Sequence, residues 1–136
     1  MRTAALCALL AAAGCSSWPI NLREVPGTYV MNRGRAADTL VIQPQGRYVH
    51  MYRAPGQPVV VDVGAWSIDT IHKQAVVTLH GFWQRWRTET EASELLRHPL
   101  APGLWQVTPQ RDALGRLRLM VDEDIEWLYV RRGRAR

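Results

Sequence analysis

Past residue 15 the sequence contains no cysteine. That part of the chain can hold neither a disulfide framework nor a cysteine zinc site. Lysine is almost missing too: Lys73 is the single lysine among 17 basic side chains, the rest being arginine. A skewed genome composition accounts for that bias. Arginine also pairs bidentately with phosphate and carboxylate, which leaves a polyanionic partner open. Serine is scarce. After Ser16 and Ser17 only Ser67 and Ser93 remain, and neither lies in a Gly-x-Ser-x-Gly elbow. No motif supports nucleophilic catalysis, so the protein is expected not to be an enzyme. His50, His72, His80 and His98 show no His-x-His or His-x-x-x-His spacing. No metal or other cofactor is expected from them.

Long apolar runs are also lacking. The longest, Ala4 to Ala13, has ten residues. As a helix it would span roughly 15 Å, half of a bilayer core. It is too short to cross a membrane and fits the apolar region of a signal peptide, with Arg2 as the positive residue before it. Small residues then lead into Cys15 in "AAAGCSS". Ala12-Ala13-Gly14-Cys15 resembles the lipobox of bacterial lipoproteins. The resemblance implies a diacylglycerol on the Cys15 thiol, cleavage before Cys15 and acylation of the new N-terminus. Without an aspartate next to Cys15 it further implies sorting to the outer membrane, facing the periplasm. Each buried CH₂ of an acyl chain contributes about 0.8 kcal/mol, and two or more chains make anchoring stable. The rival is ordinary secretory cleavage after Ala11-x-Ala13, which would leave Cys15 as an exposed, unpaired thiol. Loss of residues 1–14 removes Arg2 and lowers the formal charge from +5 to +4.

What is present points to a folded β domain. With 47% apolar residues and six tryptophans the chain is not disordered. Residues 1–14 are expected to be a signal peptide, 15–26 a tether, 27–132 one β domain and 133–136 a basic tail. Strand patterns recur at "TYVMNR", "DTLVIQ", "RYVHMYR", "VVVDVGAWSID", "KQAVVTLHGFW", "LWQVTP", "RLRLMV" and "IEWLYVRR", most of them joined by short turn sequences such as "PQG". In the fourth, apolar positions shift parity from Val59, Val61 and Val63 to Trp66 and Ile68, which predicts a bulge or bend at Gly64. Thr88 and Glu91 fit a capping box, so one short helix is expected near 89–97. The fold class is all-β: an antiparallel meander of seven or eight strands forming a small barrel or a strongly bent sheet. Gly27-x-Tyr29, then Leu40-x-Ile42-x-x-Gln45-Gly46-x-Tyr48, then Gly64-x-Trp66 is similar to a run in lipocalin-like β-meander domains, over residues 26–69. It supports the fold more than any activity.

Two stretches could carry function. "DEDIE" gathers Asp122, Glu123, Asp124 and Glu126 but lacks the spacing of a calcium loop, and reads as a solvated hairpin turn. "FWQRWR" alternates aromatics with arginines. Arg85 and Trp86, with Trp83, would stack on a sugar or anionic ligand; the plainer reading has Trp83 and Trp86 plugging one end of the barrel. The leading expectation is a non-enzymatic, lipid-anchored envelope protein whose domain binds a protein, glycan or lipid. The alternative is a lipocalin-like carrier lined by Tyr48, His50, Tyr52, Trp66 and Trp83. The partners expected are a membrane, through the N-terminal lipid, and an envelope protein or glycan. Nucleic acid is not expected. A third class, a hydrolase or an inhibitor of one, lacks a nucleophile motif, and the positive charge disfavours inhibiting a basic enzyme.

Overall fold

The computed structural model describes residues 20–33, 35–83, 102–122 and 127–133. They form a closed barrel of eight antiparallel strands in chain order. The strands are β1 (Gly27–Arg33), β2 (Ala36–Ile42), β3 (Arg47–Arg53), β4 (Val60–Ile71), β5 (Gln74–Phe82), β6 (Gly103–Arg111), β7 (Leu117–Asp122) and β8 (Trp127–Arg131). β8 returns to β1 through Tyr29–Arg131 and Val30–Val130. Closure leaves no free sheet edge, which suits a sheet with one apolar face. The expected helix near 89–97 and the acidic hairpin residues 123–126 lie outside the described residues.

Alternation along each strand decides what is inside. Tyr29 and Met31, Leu40 and Ile42, Tyr48 and His50, Val77 and Leu79, Val107, Leu117 and Leu119, and Tyr129 are all buried. Short turns hold the register. Gly46, at φ +77°, closes the β2–β3 turn, where its N–H donates to the carbonyl of Gln43. The carboxylate of Asp112 accepts from the backbone N–H groups of Leu114 and Arg116 and organises the β6–β7 turn.

One expectation is corrected in β4. The strand pairs without interruption with β3 from Val60 to Ala65 and with β5 from Ala65 to Ile71. There is no parity shift at Gly64. Asp62, Gly64, Trp66 and Ile68 share the inner face, and Val61 and Val63 point outward, 57% and 60% exposed. The irregularity lies across the ladder instead, between His80 and Phe82, where Gly81 takes φ +70°. That bulge returns Phe82 to the interior.

Residues 20–26, read from the sequence as the end of a tether, pack on one end of the barrel. Leu22–Glu24 form a 3₁₀ turn capped by the Asn21 side chain. Val25 is fully buried and Ile20 rests on the core. Three polar contacts fasten this segment. The Tyr29 hydroxyl donates to the Val25 carbonyl at 2.5 Å. Arg131 Nη2 donates to the Pro26 carbonyl at 3.0 Å. Arg111 pairs with Glu24.

Candidate functional site

The barrel interior is not wholly apolar. Asp38 on β2 and His50 on β3 are buried, at 2% and 0% exposure. They are brought together by the register of β2 and β3, in which Leu40 faces His50 and Asp38 faces Tyr52. His50 Nε2 lies 3.0 Å from Asp38 Oδ1. On the other side of the ring, His50 Nδ1 lies 3.4 Å from Asp62 Oδ2, supplied by the neighbouring β4. Tyr129 reaches across from β8 and donates its hydroxyl to Asp38 Oδ1 at 2.7 Å. Each imidazole nitrogen thus faces a carboxylate, but only Nε2 is in hydrogen-bond contact, with Asp38.

Aromatic rings enclose the cluster. Phe82 lies over His50 with centroids 4.5 Å apart, and Trp105 stacks on Phe82 at 4.6 Å. Tyr48 tilts against Phe82 at 5.9 Å. The Tyr48 ring extends over β4 at Gly64 and donates its hydroxyl to the His80 carbonyl of β5 at 3.1 Å. A Cβ at Gly64 would stand 2.5 Å from that carbonyl oxygen and 2.5 Å from the Tyr48 hydroxyl. Gly64 is therefore glycine because another strand's side chain passes over it.

Polar satisfaction is incomplete here. Asp38 Oδ2 and His50 Nδ1 are each buried without a hydrogen-bond partner. Such a group costs free energy on the order of 1–3 kcal/mol, which a bound water or ligand donor would recover. Among the described residues, no three His, Cys, Asp or Glu side chains are placed to hold a metal ion.

The comparisons come back empty. No family model, no curated protein and no solved structure matches the chain.

The sequence-derived candidates divide in three. Tyr48 and His50 are fully buried and already occupied with neighbours. Tyr52, Trp66 and Trp83 are half-buried, and the Trp66 indole donates to the Gln43 carbonyl at 2.7 Å. Arg85 and Trp86 lie outside the described residues. Sequence reasoning missed Asp38, Asp62 and Tyr129. A signal existed for the first: Asp38 has the parity of Leu40 and Ile42, so an acid was due on the inner face. Ser67 and His80 also meet, Oγ to Nε2 at 3.1 Å. The pair sits on the outer face of β4 and β5, with no carboxylate recorded against His80 among the described residues, so the arrangement lacks the orienting acid of a triad.

Burial sets an alkaline limit on the fold. Burial pushes the Tyr29 phenol up to about 12, with Arg131 pulling slightly the other way. Burial, and then the Asp62 charge, push Tyr48 up to about 12 as well. Both groups are neutral below their ordinary value near 10, and their protonated forms are favoured in the fold. Their contribution is intact below pH 10 and is lost as pH rises from 10 toward 12. For the wholly buried Tyr29 this amounts to roughly 2–3 kcal/mol. Urea titrations at pH 8 and pH 11 should show part of that loss, and Tyr29→Phe should remove the Tyr29 share and leave that of Tyr48, while lowering stability at pH 8 by about 1 kcal/mol.

Proposed function

We propose that this chain is a non-enzymatic, lipid-anchored protein of a bacterial cell envelope that binds an envelope component through the outer wall of its barrel. One observation carries the reading: the interior is packed with the chain's own side chains, while the middle of the outer face of β8 and β1–β4 presents two uncharged, mostly apolar rows, of which Val61 and Val63 are exposed and the rest half-buried. The strand registers define that face. Val130, Val30, Thr39, Met51 and Val61 form one continuous cross-strand row. Thr28, Val41, Val49 and Val63 form the next. A contiguous apolar surface of this kind on a soluble fold is commonly an interaction site. The lipobox-like Cys15 supplies the anchor in this reading.

A carrier of a small ligand is the second reading. It is favoured by the eight-stranded barrel itself and by Asp38 Oδ2, a buried acceptor without a partner. It requires a ligand with a donor group and an apolar body. The complete burial of Tyr48 and His50 weighs against it.

The test is a photo-cross-linking residue placed at Val63 on this wall, or at Gln106 on the outer face of β6, in cells producing the full chain. The wall reading expects adducts from Val63 and few from Gln106. Equal yields would count against it.

A further inference from the structure

We infer that the partner of this wall is the surface of an anionic phospholipid bilayer, which the barrel meets side-on. The inference rests on the reading of the wall as a binding surface, and four features of the wall select the occupant.

The first is composition. Val30, Val41, Val49, Met51, Val61, Val63 and Val130 face outward with only Thr28 and Thr39 between them, and no charged side chain interrupts the two rows. Strands lie about 4.8 Å apart, so five of them span roughly 19 Å along the sheet. The second is the charge around the rows. Arg47 and Arg53 stand at the two ends of β3, Arg132 follows Val130 on the same face beyond β8, and Arg118 flanks Val130 on β7. Arg47, Arg53 and Arg132 are exposed and meet no carboxylate among the described residues. Along β4 the first outward acid is Asp69, past Ala65 and Ser67. An apolar centre with an arginine margin matches acyl chains beneath phosphate headgroups, because arginine stems lie along apolar surface while the guanidinium reaches phosphate.

The third feature is shape. The rows cover five of eight strands in a closed barrel, so the surface is convex around about half of the circumference. Two copies of such a wall would touch along a line and would bring arginine margins together. A fluid lipid interface conforms to a convex body. The fourth is the backbone. Every one of these strands is paired on both sides. The wall can enter a low-dielectric interface without stranding peptide groups there. Apolar faces that bind in this way sit about 5–10 Å into the headgroup and acyl boundary.

The experiment uses the full chain carrying Cys7→Ala and Cys15→Ala, which removes the lipid and frees the thiol positions. A single nitroxide-bearing cysteine is introduced at Val61 or at Gln106. Vesicles are phosphatidylcholine alone or with 30 mol% phosphatidylglycerol. The expected result is a wall-specific one: with anionic vesicles the Val61→Cys label gains oxygen accessibility several-fold over a water-soluble nickel relaxant, and the Gln106→Cys label does not. Phosphatidylcholine alone should bind at least ten-fold more weakly, and Val49→Ser with Val63→Ser should reduce anionic binding at least ten-fold. Those serines point outward, so the fold should survive, as circular dichroism would show. If both labels stay equally wet on vesicle-bound protein, the apolar N-terminus alone is tethering the chain and the inference is overturned. Its failure is separable from failure of the parent reading. Cross-linking of Val63 to a protein in cells, with a wet Val61 label on vesicles, would overturn the lipid partner and leave the wall as a binding surface. No cross-link and no vesicle contact would overturn both.

Discussion

His50→Ala is expected to lower the unfolding free energy by roughly 3–5 kcal/mol, measured by urea denaturation at pH 7. The imidazole lies between two acids, 3.0 Å from Asp38 and 3.4 Å from Asp62. Removing it leaves the buried Asp38 carboxylate with only the Tyr129 hydroxyl on one oxygen. It also takes away the ring that Phe82 covers at 4.5 Å. A single domain is stable by about 5–15 kcal/mol, so the variant should be marginal at 37 °C. The cluster's contribution is not additive. Asp38→Leu, His50→Leu and Tyr129→Phe together should cost less than His50→Ala alone, because the more deeply buried of the two carboxylates is then gone with its partners. A loss under about 1 kcal/mol for His50→Ala would mean that solvent reaches the acids and that the cluster does not hold the barrel together.

Gly64→Ala is the second large effect, with an expected cost of about 3 kcal/mol from overpacking. The added methyl meets the His80 carbonyl oxygen at 2.5 Å and the Tyr48 ring at 2.6 Å. The carbonyl belongs to a paired strand and cannot retreat alone. Tyr48 must leave, which breaks its bond to His80 and disturbs its contact with Phe82. Coupling gives the sharper reading. Tyr48→Leu should cost clearly less in the Gly64→Ala background than in the wild type, since the ring is already displaced there. Full additivity of the two would show that the ring does not pass over Gly64.

Much of this barrel was legible in the sequence. Alternation in "RYVHMYR" and "RLRLMV" placed Tyr48 with His50, and Leu117 with Leu119, each on one face, as found. Turn chemistry at Pro44-Gln45-Gly46 placed the β2–β3 reversal where it is. What failed has a common physical cause. A strand's period of two says which residues share a face, but not which face is inside. In β4 apolarity alone puts Val59, Val61 and Val63 on the same side as Trp66 and Ile68, which demands a parity shift at Gly64. The structure instead puts Asp62, Gly64, Trp66 and Ile68 inward, since Asp62 meets a buried histidine and Gly64 makes room for Tyr48. The bulge consequently falls at Gly81 rather than Gly64. The outer wall was hidden for a related reason. Val130, Val30, Thr39, Met51 and Val61 are scattered over a hundred residues of chain, and only strand register makes them a row. Of the candidate site, His50 could be named from its place between two tyrosines, whereas its partners depend on pairings to β2 and β4 that no local pattern encodes.

The account turns on the outer wall being the working surface. Its most direct test is the photo-cross-linking yield at Val63 against that at Gln106, measured in membrane fractions of cells producing the full chain, with intact mass of the same fraction reporting lipid on Cys15. The account predicts adducts concentrated at Val63, little reaction at Gln106, and a chain that begins at Cys15 with added acyl mass. A chain without lipid, found in the soluble fraction and cross-linking equally from both positions, would contradict it.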